Sequence, residues 1–252
     1  MDARSFATLE KTRTDFRRLV DGLSADLPFL ESLQEKLRLE QGHEDYRVET
    51  PVVYNRALDD LQRRDRLDYV LVADNPGKKE QLAANNRYLV GQSGKLAEGF
   101  FESRIGVDFR RNVAILNKTP IHTPKTAELR RLLALAEARG PDQGRMLREA
   151  FEESQRAMAN IARELHGATG TVLWISGLGE LGPRGLFRPW AEALGAAYRG
   201  ARPSLVERVW LFRHFSMNQF AIEVRKSADP AKPILEELGR IGTENRRRVL
   251  GW

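Results

Sequence analysis

Four short apolar runs punctuate the chain after its first quarter: Tyr69-Val70-Leu71-Val72-Ala73, Val113-Ala114-Ile115-Leu116, Thr171-Val172-Leu173-Trp174-Ile175-Ser176 and Val209-Trp210-Leu211-Phe212. Each is bounded by Gly, Pro, Asn or charged residues. The runs are continuous instead of alternating, which predicts strands buried on both faces, as in a parallel sheet covered by helices. Stretches of helical period lie between and after them, at residues 94–104, 127–138, 146–166, 186–198, 218–226 and 234–250. Repeated strand-then-helix order predicts an α/β fold, three-layer α/β/α with a short four-stranded parallel sheet.

The first 66 residues read differently. Phe6, Leu9, Phe16, Leu19, Val20 and Leu23 recur at near-helical spacing, and Leu30, Leu33, Leu37 and Leu39 resume it after Pro28 has broken the first helix. A third helix is expected over residues 55–66. This region is expected to be a helical extension (1–66) on an α/β core (68–252), the whole forming one domain without recognisable chemistry in the extension.

Composition narrows the chemistry. A length of 252 residues suffices for one enzyme-sized domain. Cysteine is absent, which excludes disulfides, thiolate zinc sites, cysteine nucleophiles and Cys-ligated iron–sulfur clusters. Lysine and arginine total 41 against 35 acids, a net charge of +6 that suits an acidic partner such as nucleic acid. No run is long enough to cross a bilayer, and the start carries no signal-peptide core. The expectation is a cytoplasmic monomer with no metal and no cofactor.

In an open parallel sheet, ligands bind beyond the carboxyl ends of the strands. Three of those ends are polar here: Asp74-Asn75-Pro76-Gly77-Lys78-Lys79, Asn117-Lys118-Thr119-Pro120-Ile121-His122 and Arg213-His214-Phe215-Ser216-Met217-Asn218. Taken singly, Asn75 is a turn former before Pro and His214 a packing histidine. Together they bring amide, imidazole and ammonium groups to one rim. Two other motifs compete. Gly177-Leu178-Gly179-Glu180-Leu181-Gly182 matches G-x-G-x-x-G, although Pro183 interrupts the turn that follows. Gly91-Gln92-Ser93-Gly94-Lys95 echoes a P-loop but lacks its first Gly and its Ser or Thr after Lys; a helix cap at Ser93 is the residual expectation.

The strand-end residues resemble the uracil-DNA glycosylase superfamily, nearest to its single-strand-selective monofunctional and mismatch-specific branches. Ala73-Asp74-Asn75-Pro76-Gly77 is similar to G-x-N-P-G, Asn117-Lys118-Thr119-Pro120-Ile121 to N-x-C-P-L, and His214-Phe215-Ser216 to H-P-S. Tyr88-Leu89-Val90-Gly91-Gln92-Ser93-Gly94 is similar to the P-F-V-G-R-x-G segment of the iron–sulfur branch. Ala73, Phe215 and Tyr88 or Leu89 depart from the motifs, leaving the last loop's conformation open.

The resemblance implies hydrolysis of the N-glycosidic bond of uracil or a related damaged base in DNA, without metal and without strand cleavage. It implies a flipped base read by the Asn117 amide. His214 would donate to the departing base and Asn75 would hold the attacking water, with Asp74 either a second activator or a turn-stabilising residue. Gly77 would let backbone approach the base. Tyr88, or else Leu89, would stack on it. Lys78, Lys79, Lys118, Ser216, Met217 and Asn218 would contact DNA, with Met217 or Phe220 as wedge. A non-catalytic nucleic-acid or nucleobase-binding member of the fold, and a nicotinamide-dependent enzyme using residues 177–182, are the alternatives.

Overall fold

The structure, a computed structural model covering residues 1–252, contains the four expected strands: β1 (Tyr69–Ala73), β2 (Val113–Asn117), β3 (Val172–Ser176) and β4 (Val209–Phe212). All neighbours are parallel, in the order β2-β1-β3-β4. The protein is therefore an α/β protein with an open sheet. Every residue of β1 and β2 is buried, the outcome expected of continuous apolar runs covered on both faces.

The helices are α1 (Ala3–Asp26), α2 (Leu30–Glu40), α3 (Ala57–Asp60), α4 (Gln92–Ile105), α5 (Glu128–Arg139), α6 (Pro141–Thr169), α7 (Arg188–Tyr198), α8 (Pro203–Val206), α9 (Gln219–Ser227) and α10 (Ile234–Leu250). Right-handed crossovers send α4 to one face and α5, α6 and α7 to the other, because the chain steps from β1 to β2 one way and from β2 across to β3 the other. The packing agrees. Phe101 of α4 lies 5.0 Å from the Trp174 ring of β3, whereas α6 runs along β1, β2 and β3 and beside α1, α5 and α7. Around Trp174, Phe212 (4.3 Å), Phe220 (5.3 Å) and Phe101 build an aromatic core on the α4 side. Tilted pairs of this kind add about 0.5–1.5 kcal/mol each beyond their buried area.

One expectation is corrected. Residues 55–66 are helical only over the single turn of α3. The buried Arg13 guanidinium donates to the Leu58 carbonyl (2.6 and 2.9 Å) and to that of Leu61, capturing acceptors that a longer helix would use for its own ladder. The first 66 residues pack into the core of the sheet. Leu9, Phe16, Leu30, Leu33 and Leu37 belong to the same apolar cluster as the strands. No helix is long and apolar enough to cross a membrane.

Candidate functional site at the carboxyl rim

The chain leaves β1 toward β2 and reaches β3 on the other side, so the switch of direction falls between β1 and β3, where open α/β sheets form their crevice. Asp74 follows β1 at this point. Its Oδ1 accepts from Lys118 Nζ (2.5 Å) and its Oδ2 from Thr126 Oγ1 (3.3 Å). Lys118 Nζ donates again to the Ser176 carbonyl at the end of β3 (2.5 Å), and its cation lies over the rings of Phe187 (5.2 Å) and Trp190 (5.8 Å). Burial pushes the Lys118 ammonium below its ordinary pKa, and Asp74 pulls it back up. Gly177 faces the same carboxylate with φ +92°; a Cβ there would stand 2.4 Å from Asp74 Oδ1.

This arrangement corrects the expectation for Lys118. Buried, with Nζ already committed to Asp74 and the Ser176 carbonyl, it ties the ends of β1, β2 and β3 together instead of meeting a phosphate. It also accounts for Gly177 without a dinucleotide. Leu178–Glu180 forms only a 3-10 turn and α7 starts at Arg188, so the glycine run does not lead into the helix N-terminus that a pyrophosphate needs.

Asn75 Nδ2 donates to Thr123 Oγ1 (3.0 Å) and the Thr123 carbonyl (3.2 Å), so its Oδ1 is the amide atom left free. The next peptide is held from behind. His122 Nδ1–H donates to the Pro76 carbonyl (2.8 Å), and His122 Nε2, 3.2 Å from the Tyr46 hydroxyl, accepts from it. A carbonyl only accepts, which fixes this tautomer; burial pushes the imidazole down to about 4 and keeps it neutral. Gly77 N–H donates to Glu80 Oε2 (3.2 Å) while Leu89 N–H donates to Oε1 (3.0 Å). Burial drives the Glu80 carboxyl up to about 7, against the lowering pull of those donors and of Arg110.

Asn117, the last residue of β2, is in register with Ala73 and therefore shares the rim with Asp74 and Asn75. It is 1% exposed, yet neither Nδ2 nor Oδ1 has a protein partner; the Ser176 hydroxyl is likewise unpartnered.

Beyond β4, Ser216 N–H (3.1 Å) and its hydroxyl (2.8 Å) both donate to His214 Nδ1. Nδ1 therefore carries the lone pair, and the neutral ring holds its proton on Nε2. Burial pushes His214 below its ordinary pKa, with Asp74 opposing and Lys118 reinforcing the shift, so all three groups act on one another. Phe215 is buried, stacked on Trp174 at 15° and 6.1 Å, which anchors the loop after β4. Met217 and Asn218 both adopt left-handed conformations (φ +52° and +56°), and Met217 is 78% exposed. Phe220 is buried against Phe100 (4.7 Å), which removes it as a wedge.

Tyr88 is corrected too: it is 0% exposed, with its hydroxyl on the Val53 carbonyl (2.6 Å) and its ring 6.2 Å from Phe16. Leu89 is buried at φ +53°, and a Cβ on Gly94 would fall 1.6 Å from its carbonyl oxygen. Gly94 of the P-loop echo thus serves this close approach, whereas nothing lies within 4 Å of a Cβ on Gly91, and the α4 cap is Gly91, not Ser93. Lys78 pairs with Asp45 (2.8 Å) and Lys79 is exposed.

Sequence reasoning missed Glu80, Tyr46 and Thr123, and it read Gly177 as a dinucleotide glycine where the structure sets it against Asp74. Glu80 offered a signal, an acid three residues beyond Gly77. Tyr46 offered none, since only the fold carries it to the Pro76 loop. The chain has no cluster of metal-ligating side chains. No protein-family model matches the sequence, and no curated protein matches it either.

Proposed function

We propose that the protein is a monofunctional, metal-independent glycosylase of the uracil-DNA glycosylase kind, releasing uracil or a related damaged base from DNA. The observation that carries this reading is the Asn117 amide. Leaving a buried donor or acceptor unpaired costs about 1–3 kcal/mol, which a ligand edge offering one acceptor and one donor, such as O4 and N3–H of uracil, recovers.

The remaining rim groups suit the same chemistry. His214 in its Nε2–H tautomer is a neutral donor for the charge that develops on a departing base, a contribution of roughly 3 kcal/mol when held in place. Asn75, with Nδ2 committed to Thr123, presents Oδ1 to a water. The amide cannot take the proton outright, so it orients a nucleophile that attacks after the base has largely left. Met217 is the exposed apolar group placed next to His214 that suits a wedge between bases, and Lys79 is free to meet a phosphate. The rival reading is a non-catalytic nucleic-acid-binding protein of the same fold. What favours it is Asp74, both of whose oxygens are already taken by Lys118 and Thr126.

The test is release of uracil from labelled oligonucleotides, with alkali to reveal abasic sites. The wild type yields alkali-dependent breaks, and Asn117→Ala and His214→Ala each slow them by roughly 100-fold. Tight binding of the oligonucleotide with no release by the wild type selects the rival.

A further inference from the structure

A second cleft, of about 400 Å³, opens between α5, α6 and the segment entering α7, away from Asn75 and His214. Four arginines line it: Arg130, Arg148, Arg184 and Arg188. Three have acidic partners of their own, Arg130 with Glu180, Arg148 with Glu137 and Arg188 with Glu192. Arg184 has none and is exposed.

The wall opposite is built on Gln155, a fully buried residue of α6 that also lines the cleft. Its Oε1 accepts from Trp190 N–H in the first turn of α7 (3.3 Å), which orients the amide and leaves Nε2 as a buried donor without a partner. The first turn of α7 has no donor to spare: Arg188 N–H donates to the Gly185 carbonyl, Trp190 N–H to Gln155 Oε1 and Ala191 N–H to the Phe187 carbonyl, while Pro189 has no N–H, so the open donors of the cleft are side chains. A guanidinium without a counterion and an orphaned amide N–H both ask for anionic oxygens. Glu137 and Glu152 also line the cleft, which limits the charge of what it accepts.

We propose that this cleft binds a phosphate group, held by the side chains of Arg184 and of Gln155, the latter through Nε2. The site stands independently of the glycosylase reading, because its donors and its test involve none of the rim residues. The phosphate belongs either to a nucleic-acid strand or to a small phosphorylated compound.

The experiment titrates the full chain with inorganic phosphate, thymidine monophosphate and a uracil-free single-stranded oligonucleotide, by calorimetry and fluorescence anisotropy. Saturable phosphate binding is expected, weakened roughly tenfold in Arg184→Ala. Gln155→Glu keeps the acceptor for Trp190 N–H but replaces the donor by an anionic oxygen, so binding is lost. Arg184 is exposed and unpaired, so its variant folds even where Gln155→Glu does not. If the oligonucleotide binds tightest and Arg184→Ala lowers its salt slope by about one, the phosphate is a strand's. If Arg184→Ala weakens inorganic phosphate and the monophosphate but leaves the oligonucleotide unchanged, it is a small compound's. No saturable binding of any probe, or identical binding by wild type and Arg184→Ala, overturns the proposal.

Discussion

Lys118 Nζ stands 2.5 Å from Asp74 Oδ1, and the lysine is wholly excluded from solvent. Removing one member of such a pair leaves a buried charge with nothing opposite it. Lys118→Met is expected to lower stability by about 3–5 kcal/mol, and the double variant Asp74→Asn/Lys118→Met to recover most of that loss. Urea unfolding at neutral pH measures both, and a double variant no better than the single would refute the pairing as the cause.

Glu80 makes stability depend on pH in an unusual direction. Its carboxyl is raised from 4.5 to about 7 in the folded chain, so between these values the native state binds more proton than the unfolded chain. Its contribution is therefore fully present below pH 4.5 and is lost as pH rises through about 7. Glu80→Gln should flatten the thermal midpoint over this window. A wild-type midpoint that climbs there, with the same climb in the variant, would set the idea aside.

His214 titrates below its ordinary value of 6.5 because burial disfavours the imidazolium. Its neutral Nε2–H form should persist as pH falls past that value, and base release should decline only further into acid. An NMR titration of the ring follows the proton directly, with or without turnover. A midpoint above 6.5 would contradict the burial argument.

Gly177 and Gly179 are two residues apart and should respond oppositely to alanine. At Gly177 the added methyl meets the Asp74 carboxylate and the backbone is left-handed, whereas nothing lies within 4 Å of a Cβ on Gly179. Gly177→Ala is expected to cost about 2 kcal/mol or more and Gly179→Ala under about 0.5. Comparable losses in chemical denaturation would mean that the Asp74 contact does not govern the position.

Much of the frame was legible beforehand. The four apolar runs become four strands with shifts of a residue or so at their ends, because burial on both faces demands uninterrupted Val, Leu and Ile. The helices after them start or end within a few residues of the expected positions, the largest difference being α6, which begins at Pro141, a residue suited to a first turn. Residues 55–66 misled because their local pattern says nothing of Arg13, which arrives from 45 residues away to take the Leu58 carbonyl.

At the rim, residue identity was readable and residue role was not. A lysine after a strand reads as a surface charge, and a tyrosine before a glycine turn reads as an available ring. Lys118 and Tyr88 are both at 0% exposure.

Sequence alone determined the order of elements, the parallel sheet and which polar residues stand at the strand ends, since all three follow from local periodicity and from the handedness of the connections. Tertiary structure decided which of those polar groups are satisfied. Asp74 and Lys118 consume each other and His122 is spent on Pro76, while Asn117, Asn75 Oδ1 and His214 Nε2–H remain available. That division depends on partners brought together through space from distant parts of the chain, and no spacing along it encodes them.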